Sequence, residues 1–382
     1  MAHGSIPRRL GTTVARADEP GPLAPRGTFL RCVGTALLGV AASGCAGDKP
    51  ADSVERAPAS EAAIQLTGVP FSTAVAIGQP GLLRLSGPVL WVADIAEGPG
   101  LHALNAQSGE VLRSFGPRGQ GPGDFSGRPF GLEVAPGDSG AIWAFDQRLQ
   151  RVTRFEAASV STHDVRTLVL QGQPRVLRVA WVGASRIIGQ SNSGLERFAI
   201  FGPDGSRLRT VPGQLAGPDS IPIDARANAS NASSRMCTWP GRGFVVAYPY
   251  FGRVELFDTN ATFVVRADVP LASEPVFAVQ TSGAYRVAYD RRWYVGCAAN
   301  REYVFALFSG RRADDLDAAE QSSASSIHVF DWAGRLRAVF TLDRSVFSLA
   351  VNDSGTMLFA GSLMDAGIYR YDLPAIAAGE DR

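Results

Sequence analysis

One pattern returns six times along the chain, and it limits the fold more than any other feature. A short β-rich run ends at an acidic or turn residue, and a second β-rich run follows. The copies are "LHALNAQSGEVLRSF" from Leu101, "VTRFEAASVSTHDVRTL" from Val152, "FAIFGPDGSRLRTV" from Phe198, "VELFDTNATFVVRADV" from Val254, "IHVFDWAGRLRAVFTL" from Ile327 and "IYRYDLP" from Ile368. Their turn positions align at Asn105, Glu156, Gly202, Asp258, Asp331 and Asp372, separated by 51, 46, 56, 73 and 41 residues. Each copy reads as a β-hairpin, with alternating residues flanking a Gly, Asp or Asn turn. Two further β-like runs lie upstream, such as "FGLEV" and "AIWAFD" before the second copy and "VFSLAV" and "TMLFAG" before the last. Trp91-x-x-Asp94 and Trp143-x-x-Asp146 hold equivalent places in two copies.

Four strands recurring at roughly fifty residues make a propeller blade. A helical solenoid needs a 3.6-residue period, which no long run shows, and a β-sandwich does not repeat so regularly. The pattern therefore predicts an all-β, six-bladed β-propeller with four-stranded antiparallel blades over residues 62–375. The last copy stops after its third strand. The stretch "AAIQLTGVPFSTAVAI", residues 62–77, supplies the missing outer strand and closes the ring, which protects strand edges from pairing with other chains.

The glycine-rich stretch "FGPRGQGPGDF", Phe115–Phe125, is tested first as a phosphate loop. Gly116 and Gly121 have Walker spacing, but Pro122-Gly123 follow where Lys and Ser or Thr are required. The dinucleotide fingerprint fails as well, because Asp124 stands where a glycine is needed. The stretch joins the outer strand of one blade to the inner strand of the next, where glycine and proline serve unusual dihedrals.

The N-terminus reads as targeting rather than fold. Arg26 and Arg31 precede a short apolar run from Cys32 to Gly44, which is too short to span a bilayer and fits a signal-peptide core. Ala42-Ser43-Gly44-Cys45 resembles the bacterial lipobox, with Ala42 in place of the usual leucine. Cys45 is then the lipidated residue of the mature chain, residues 1–45 are a lipoprotein signal with an over-extended start, 46–61 are a flexible tether, and 376–382 are a tail. The remaining composition narrows the chemistry. A net charge of +1 gives no field for nucleic acid. Lys49 is the one lysine among 37 basic residues, so the folded part has no lysine nucleophile.

"GPRGQGPGDF" resembles the inter-blade loop of bacterial six-bladed propellers related to NHL repeats. Residues 306–343, with Ser309-Gly310-Arg311, Val329-Phe330-Asp331-Trp332, Gly334 and Leu342-Asp343, resemble the signature region of the TolB-like six-bladed propeller family. A longer polar loop at 311–326 and Ala333 depart from that pattern. The resemblance implies the fold over about 62–375 and leaves activity open.

Histidine is scarce, at four residues. His102 and His328 occupy the same repeat position, as blade structure requires, and His163 falls in a hairpin turn. No catalytic residue, metal site or cofactor is expected. Asp314, Asp315, Asp317 and Glu320 crowd one loop but lack the spacing and glycine of an EF-hand. Cys237 and Cys297 fall on neighbouring blades, as two buried thiols or as a disulfide if their Cα atoms come within about 7 Å. The loops between second and third strands carry Arg148, Asn192, Tyr248, Tyr250 and Arg311. A propeller gathers such loops around one mouth of its channel, and these residues suit an anionic or carbohydrate-like ligand. The expected function is a monomeric, non-enzymatic binding propeller. It is lipid-anchored in the cell envelope, in the outer membrane facing the periplasm or the surface. Its partner is a small molecule, glycan, peptide or envelope protein, not nucleic acid. A propeller-type lyase or lactonase, or a scaffold subunit of an envelope complex, is the alternative.

Overall fold

The computed structural model describes residues 63–72, 77–96, 100–158, 165–191, 193, 196–232, 234–317 and 320–376. The leader, Cys45, the tether and Asn192 lie outside the described residues. Two short strands come first, β1 (Ile64–Leu66) and β2 (Val69–Ser72). The first blade is β3 (Pro80–Ser86), β4 (Val89–Asp94), β5 (Leu101–Asn105) and β6 (Val111–Phe115). The second is β7 (Gly131–Glu133), β8 (Ala141–Asp146), β9 (Arg151–Glu156) and β10 (Arg166–Val169). The third is β11 (Val176–Gly183), β12 (Arg186–Ser191), β13 (Phe198–Phe201) and β14 (Arg207–Val211). The fourth is β15 (Arg235–Trp239), β16 (Gly243–Ala247), β17 (Val254–Phe257) and β18 (Phe263–Arg266). A hairpin of β19 (Val276–Val279) and β20 (Tyr285–Ala288) is inserted next. The fifth blade is β21 (Tyr294–Ala299), β22 (Tyr303–Phe308), β23 (Ala324–Asp331) and β24 (Leu336–Val346), and the sixth contains β25 (Ser348–Val351), β26 (Met357–Gly361) and β27 (Ile368–Asp372).

The six predicted turn positions all fall at, or one residue beyond, the end of a third strand. Three of their side chains show why. Asp258 Oδ1 accepts the N–H groups of Asn260 and Thr262, both at 2.8 Å. Asp331 Oδ1 does the same for Ala333 and Arg335 at 2.9 Å, and Asn105 Oδ1 for Gln107 at 2.8 Å. A short acceptor that folds back on its own backbone stabilises a turn without help from the rest of the chain. The long 73-residue separation is explained by the β19–β20 hairpin and the extended β22–β23 loop.

Burial is greatest in the middle of each blade and least at the rim. The second strands β4 and β8 are buried at every position, and both read as near-continuous apolar runs. The outer strands β14 and β18 are mostly exposed. Between the blades lie six apolar clusters, one at each junction around the ring. Trp143 and Trp181 meet at 4.5 Å between blades two and three, and Phe198 and Phe244 at 5.1 Å between blades three and four. Each such pair adds about 0.5–1.5 kcal/mol beyond its burial. The cluster joining blades six and one, with Leu83, Leu90, Phe359 and Ile368, completes the circle.

The N-terminal stretch divides between two blades. β2 runs antiparallel to β27, with Val69 opposite Arg370, as the outer strand of blade six. β1 runs parallel to β24, with Ile64 opposite Phe340, as a fifth strand on blade five. Between them Gly68 lies so close to the Tyr371 ring that an added Cβ would come within 2.6 Å of it. Only a residue without a side chain lets the backbone cross there.

The Phe115–Phe125 stretch is the joint between β6 and β7. Gly116 has φ +72° and lies against the Phe125 ring. Phe125 is buried between blades one and two, 5.6 Å from Phe155. Asp124 Oδ2 accepts the Gly121 N–H at 2.9 Å, and Arg151 donates to the Gln120 carbonyl at 3.2 Å. The glycines let this loop close on its own backbone and seat Phe125.

Candidate functional site

Strands alternate in direction within a blade. The residues leading into each inner strand therefore share one end of the ring with the loops between second and third strands. Arg148, Tyr250 and Arg311 lie in such loops on blades two, four and five, at that common end. Arg148 is exposed. Arg311 is exposed and paired with Glu320 at 3.0 Å. Tyr250 is half-buried, its ring 4.5 Å from that of Tyr289. The guanidinium of Arg292 lies 4.7 Å from the centre of the Tyr250 ring and 5.5 Å from that of Tyr289.

Tyr248 is placed differently. It is 1% exposed and packed between blades three and four. Its hydroxyl donates to Glu255 Oε2 at 2.6 Å and accepts from Arg197, which also pairs with Glu255 at 2.7 Å. Burial pushes the Tyr248 phenol well up. Burial also acts to raise Glu255, but Arg197 and Tyr248 outweigh it and hold that carboxyl below its usual range. Tyr248 thus faces a buried ion pair, while Tyr250 faces the mouth.

The residues that sequence reasoning missed line the channel itself. Its neck is a cavity of about 110 Å³ walled by all six inner strands, with Arg84, Glu133, Arg178 and Arg235 as its charged side chains. Arg84, on blade one, donates to the Thr238 carbonyl at 2.9 Å on blade four, across the ring. Glu133 accepts the Thr238 hydroxyl at 2.9 Å and the Trp181 N–H at 3.3 Å. Burial raises the Glu133 carboxyl, against the pull of Arg84 and these hydrogen bonds. Together these three residues plug the channel. Above the plug, Arg178 donates to the Asn231 carbonyl at 3.2 Å and Arg235 to the Val295 carbonyl at 2.9 Å. Burial, then the neighbouring charge of Arg235, pushes Arg178 down to about 9. Burial, then Arg292 and Arg128 with Tyr250 in opposition, pushes Arg235 down to about 10. The signal was present: a charged residue inside an inner strand, as in "LLRLS" and "VLRVAW", is costly unless it has a task.

Below the plug, the opposite mouth opens into a cavity of about 380 Å³ between Trp239, Pro240, Pro136, Val351 and Arg84. In the channel wall, Cys237 on β15 and Cys297 on β21 form a disulfide with Cα atoms 5.8 Å apart. Both repeat-position histidines are buried. His102 Nδ1 lies 2.7 Å from the Ser114 hydroxyl and His328 Nδ1 2.9 Å from the Tyr294 hydroxyl. Asp317 and Glu320 cap each other's backbone N–H groups, at 2.8 and 3.1 Å. Among the described residues, no three His, Cys, Asp or Glu side chains converge as a metal ion would require.

A family model described as TolB-like 6-blade propeller-like matches residues 73–354. No curated protein matches the chain. The β-propeller domain of Myceliophteria thermophila Cps50 (Swd1) is similar at TM-score 0.46 and 10% identity, over 80% of this chain and 100% of that one. U3-55K is similar at TM-score 0.48 and 13% identity, over 80% of this chain and 98% of that one. The WD40 repeats of RRP9 give 0.48 and 13%, over 80% and 100%. At these values none of the three bears on the site.

Proposed function

The chain belongs to the TolB-like six-bladed propeller-like family, and from that premise we propose a lipid-anchored, non-enzymatic binding propeller of the bacterial cell envelope. It takes its ligand at the mouth shared by the loops into the inner strands and the loops between second and third strands. The observation that carries this reading is the clamp at that mouth. The Tyr250 and Tyr289 rings meet at 4.5 Å, tilted by 33°, Arg292 covers both rings, and its charge bears on Arg235 in the channel wall. Aromatic faces beside guanidinium forks suit a ligand with a flat or sugar-like body and a negative group. His102 and His328 are buried and bonded within their blades, which places them poorly for chemistry at this mouth.

The anchor rests on Ala42-Ser43-Gly44-Cys45 after the short apolar run. Mass spectrometry of the membrane-extracted chain should show cleavage before Cys45 and an acylated N-terminus. An unmodified Cys45 in a soluble product refutes the anchor. For the mouth, thermal shift of the full chain against sugars, peptides and small anions should find a stabilising ligand. Its effect should vanish in Tyr250→Ala, and a response unchanged in that variant refutes the mouth as the site.

A further inference from the structure

We propose that the neck of the channel is a seat for a small tetrahedral oxyanion, phosphate or sulfate in chemistry, held between Arg178 and Arg235. This rests on the reading of the mouth above it as the binding face. Four observations support it. First, Arg178 and Arg235 come from adjacent inner strands, β11 and β15, and line one cavity. Second, each guanidinium is oriented by a backbone carbonyl of the next segment around the ring, Asn231 for Arg178 and Val295 for Arg235. They are held in place before any ligand arrives, which lowers the entropic cost of binding. Third, the charges do not balance. Among the described residues lining the neck there are three arginines and one carboxylate, Glu133. Glu133 is bonded to Thr238, beside the Arg84 that crosses the ring to the same residue. Arg178 and Arg235 are like charges lining one low-dielectric wall; burial lowers both, and the charge of Arg235 adds to it at Arg178, as those of Arg292 and Arg128 do at Arg235. An anion between them turns repulsion into attraction, and guanidinium forks match oxyanion geometry bidentately.

The fourth observation is size. A cavity of about 110 Å³ closed below by the Arg84–Thr238–Glu133 plug is well under the roughly 300–1,000 Å³ of pockets that enclose an organic ligand. It has room for the equivalent of several waters, and hence for an ion or a terminal group. The anion is therefore either free or the head group of a ligand whose body lies over Tyr250 and Tyr289. The two sources share one chemistry at the arginines and differ at the tyrosines.

The test is calorimetric titration of the full chain with inorganic phosphate and with phenyl phosphate, at low ionic strength, with chloride and neutral phenol as controls. Wild-type protein should bind both phosphates and neither control. Arg178→Gln and Arg235→Gln should each weaken binding by at least about tenfold, and the Lys variants should retain part of it. If the anion is a head group, phenyl phosphate binds more tightly than phosphate and Tyr250→Ala removes that difference. If it is free, the two bind alike. Thermal melts guard against misfolding. Without phosphate, Arg235→Gln should melt at or above the wild-type temperature because a repulsion is removed, and phosphate should raise the wild type alone. Absence of phosphate binding to wild type, or equal binding by wild type and both Gln variants, overturns the seat. A neutral ligand that still needs Tyr250 would leave the mouth intact while the seat fails.

Discussion

Replacing Asp146 with alanine should cost more stability than the loss of a single buried hydrogen bond. Asp146 ends β8, and its carboxylate is shared between two segments. Oδ2 accepts the Ser126 N–H at 2.6 Å, and Oδ1 accepts the Ser126 hydroxyl at 2.7 Å and the N–H groups of Arg148 and Leu149 at 2.9 and 3.0 Å. It therefore ties the end of the inter-blade joint to the turn after the second strand. Asp94 repeats the arrangement in blade one, accepting from Gly78, Gln79 and Ala96 at 2.7–2.9 Å. A hydrogen bond to a charged group contributes about 1.5–3 kcal/mol, less per bond when several share one acceptor and the freed donors regain water. The Ala variant should lose about 3–5 kcal/mol. Asp146→Asn should lose about 1–2 kcal/mol, because an amide keeps one acceptor oxygen but sets an NH2 against a donor. Urea unfolding at constant pH, with limited proteolysis around Ser126, measures both. A loss below about 1 kcal/mol for alanine, or proteolysis at Ser126 unchanged from wild type, refutes the staple.

Three further outcomes follow from the same geometry. Burial lowers His328 from 6.5 to about 4. Its stability contribution is therefore complete above pH 6.5 and is lost as pH falls toward 4, where the unfolded chain takes up a proton that the folded one refuses. Urea titrations should show a loss of about 3 kcal/mol over that window, flattened in His328→Gln, and an unflattened profile counts against the assignment. Removing the Cys237–Cys297 bridge, which spans 60 residues, as the double Ser variant should cost about 4 kcal/mol in the chain-entropy account. An unchanged urea midpoint contradicts it. Deleting residues 62–77 removes β1 and β2 and leaves β27 an unpaired edge. The cooperative melt should be lost or replaced by aggregation, and an intact melt shows closure by another route.

The candidate site residues were less legible than the blades. Tyr248 and Tyr250 are two positions apart in one loop, and both read as mouth residues. Yet Arg197 and Glu255, 51 residues before Tyr248 and seven after it, draw Tyr248 inward, while Tyr289, just after the inserted hairpin, packs against Tyr250 outside. No local pattern distinguishes the two, because Arg197 arrives from blade three and Tyr289 from the segment after the inserted hairpin. Repeat position alone puts Cys237 and Cys297 on neighbouring blades. Whether they bond depended on the register of β15 against β21.

The ring is legible in the chain's local pattern. Its signals act over a few residues: alternation along strands, buried apolar runs in β4 and β8, and turn residues such as Asp258 and Asp331 that bond their own backbone within four positions. Such interactions are present wherever the segment goes, so a repeat of them specifies a repeat of structure. The channel emerges only from contacts between distant blades. Arg84 meets Thr238 across 154 residues of chain, and Arg178 meets Arg235 because blades three and four stand side by side. Charges on inner strands acquire meaning once the circle closes and removes them together from water. That closure is a property of all six blades and is written in none of them.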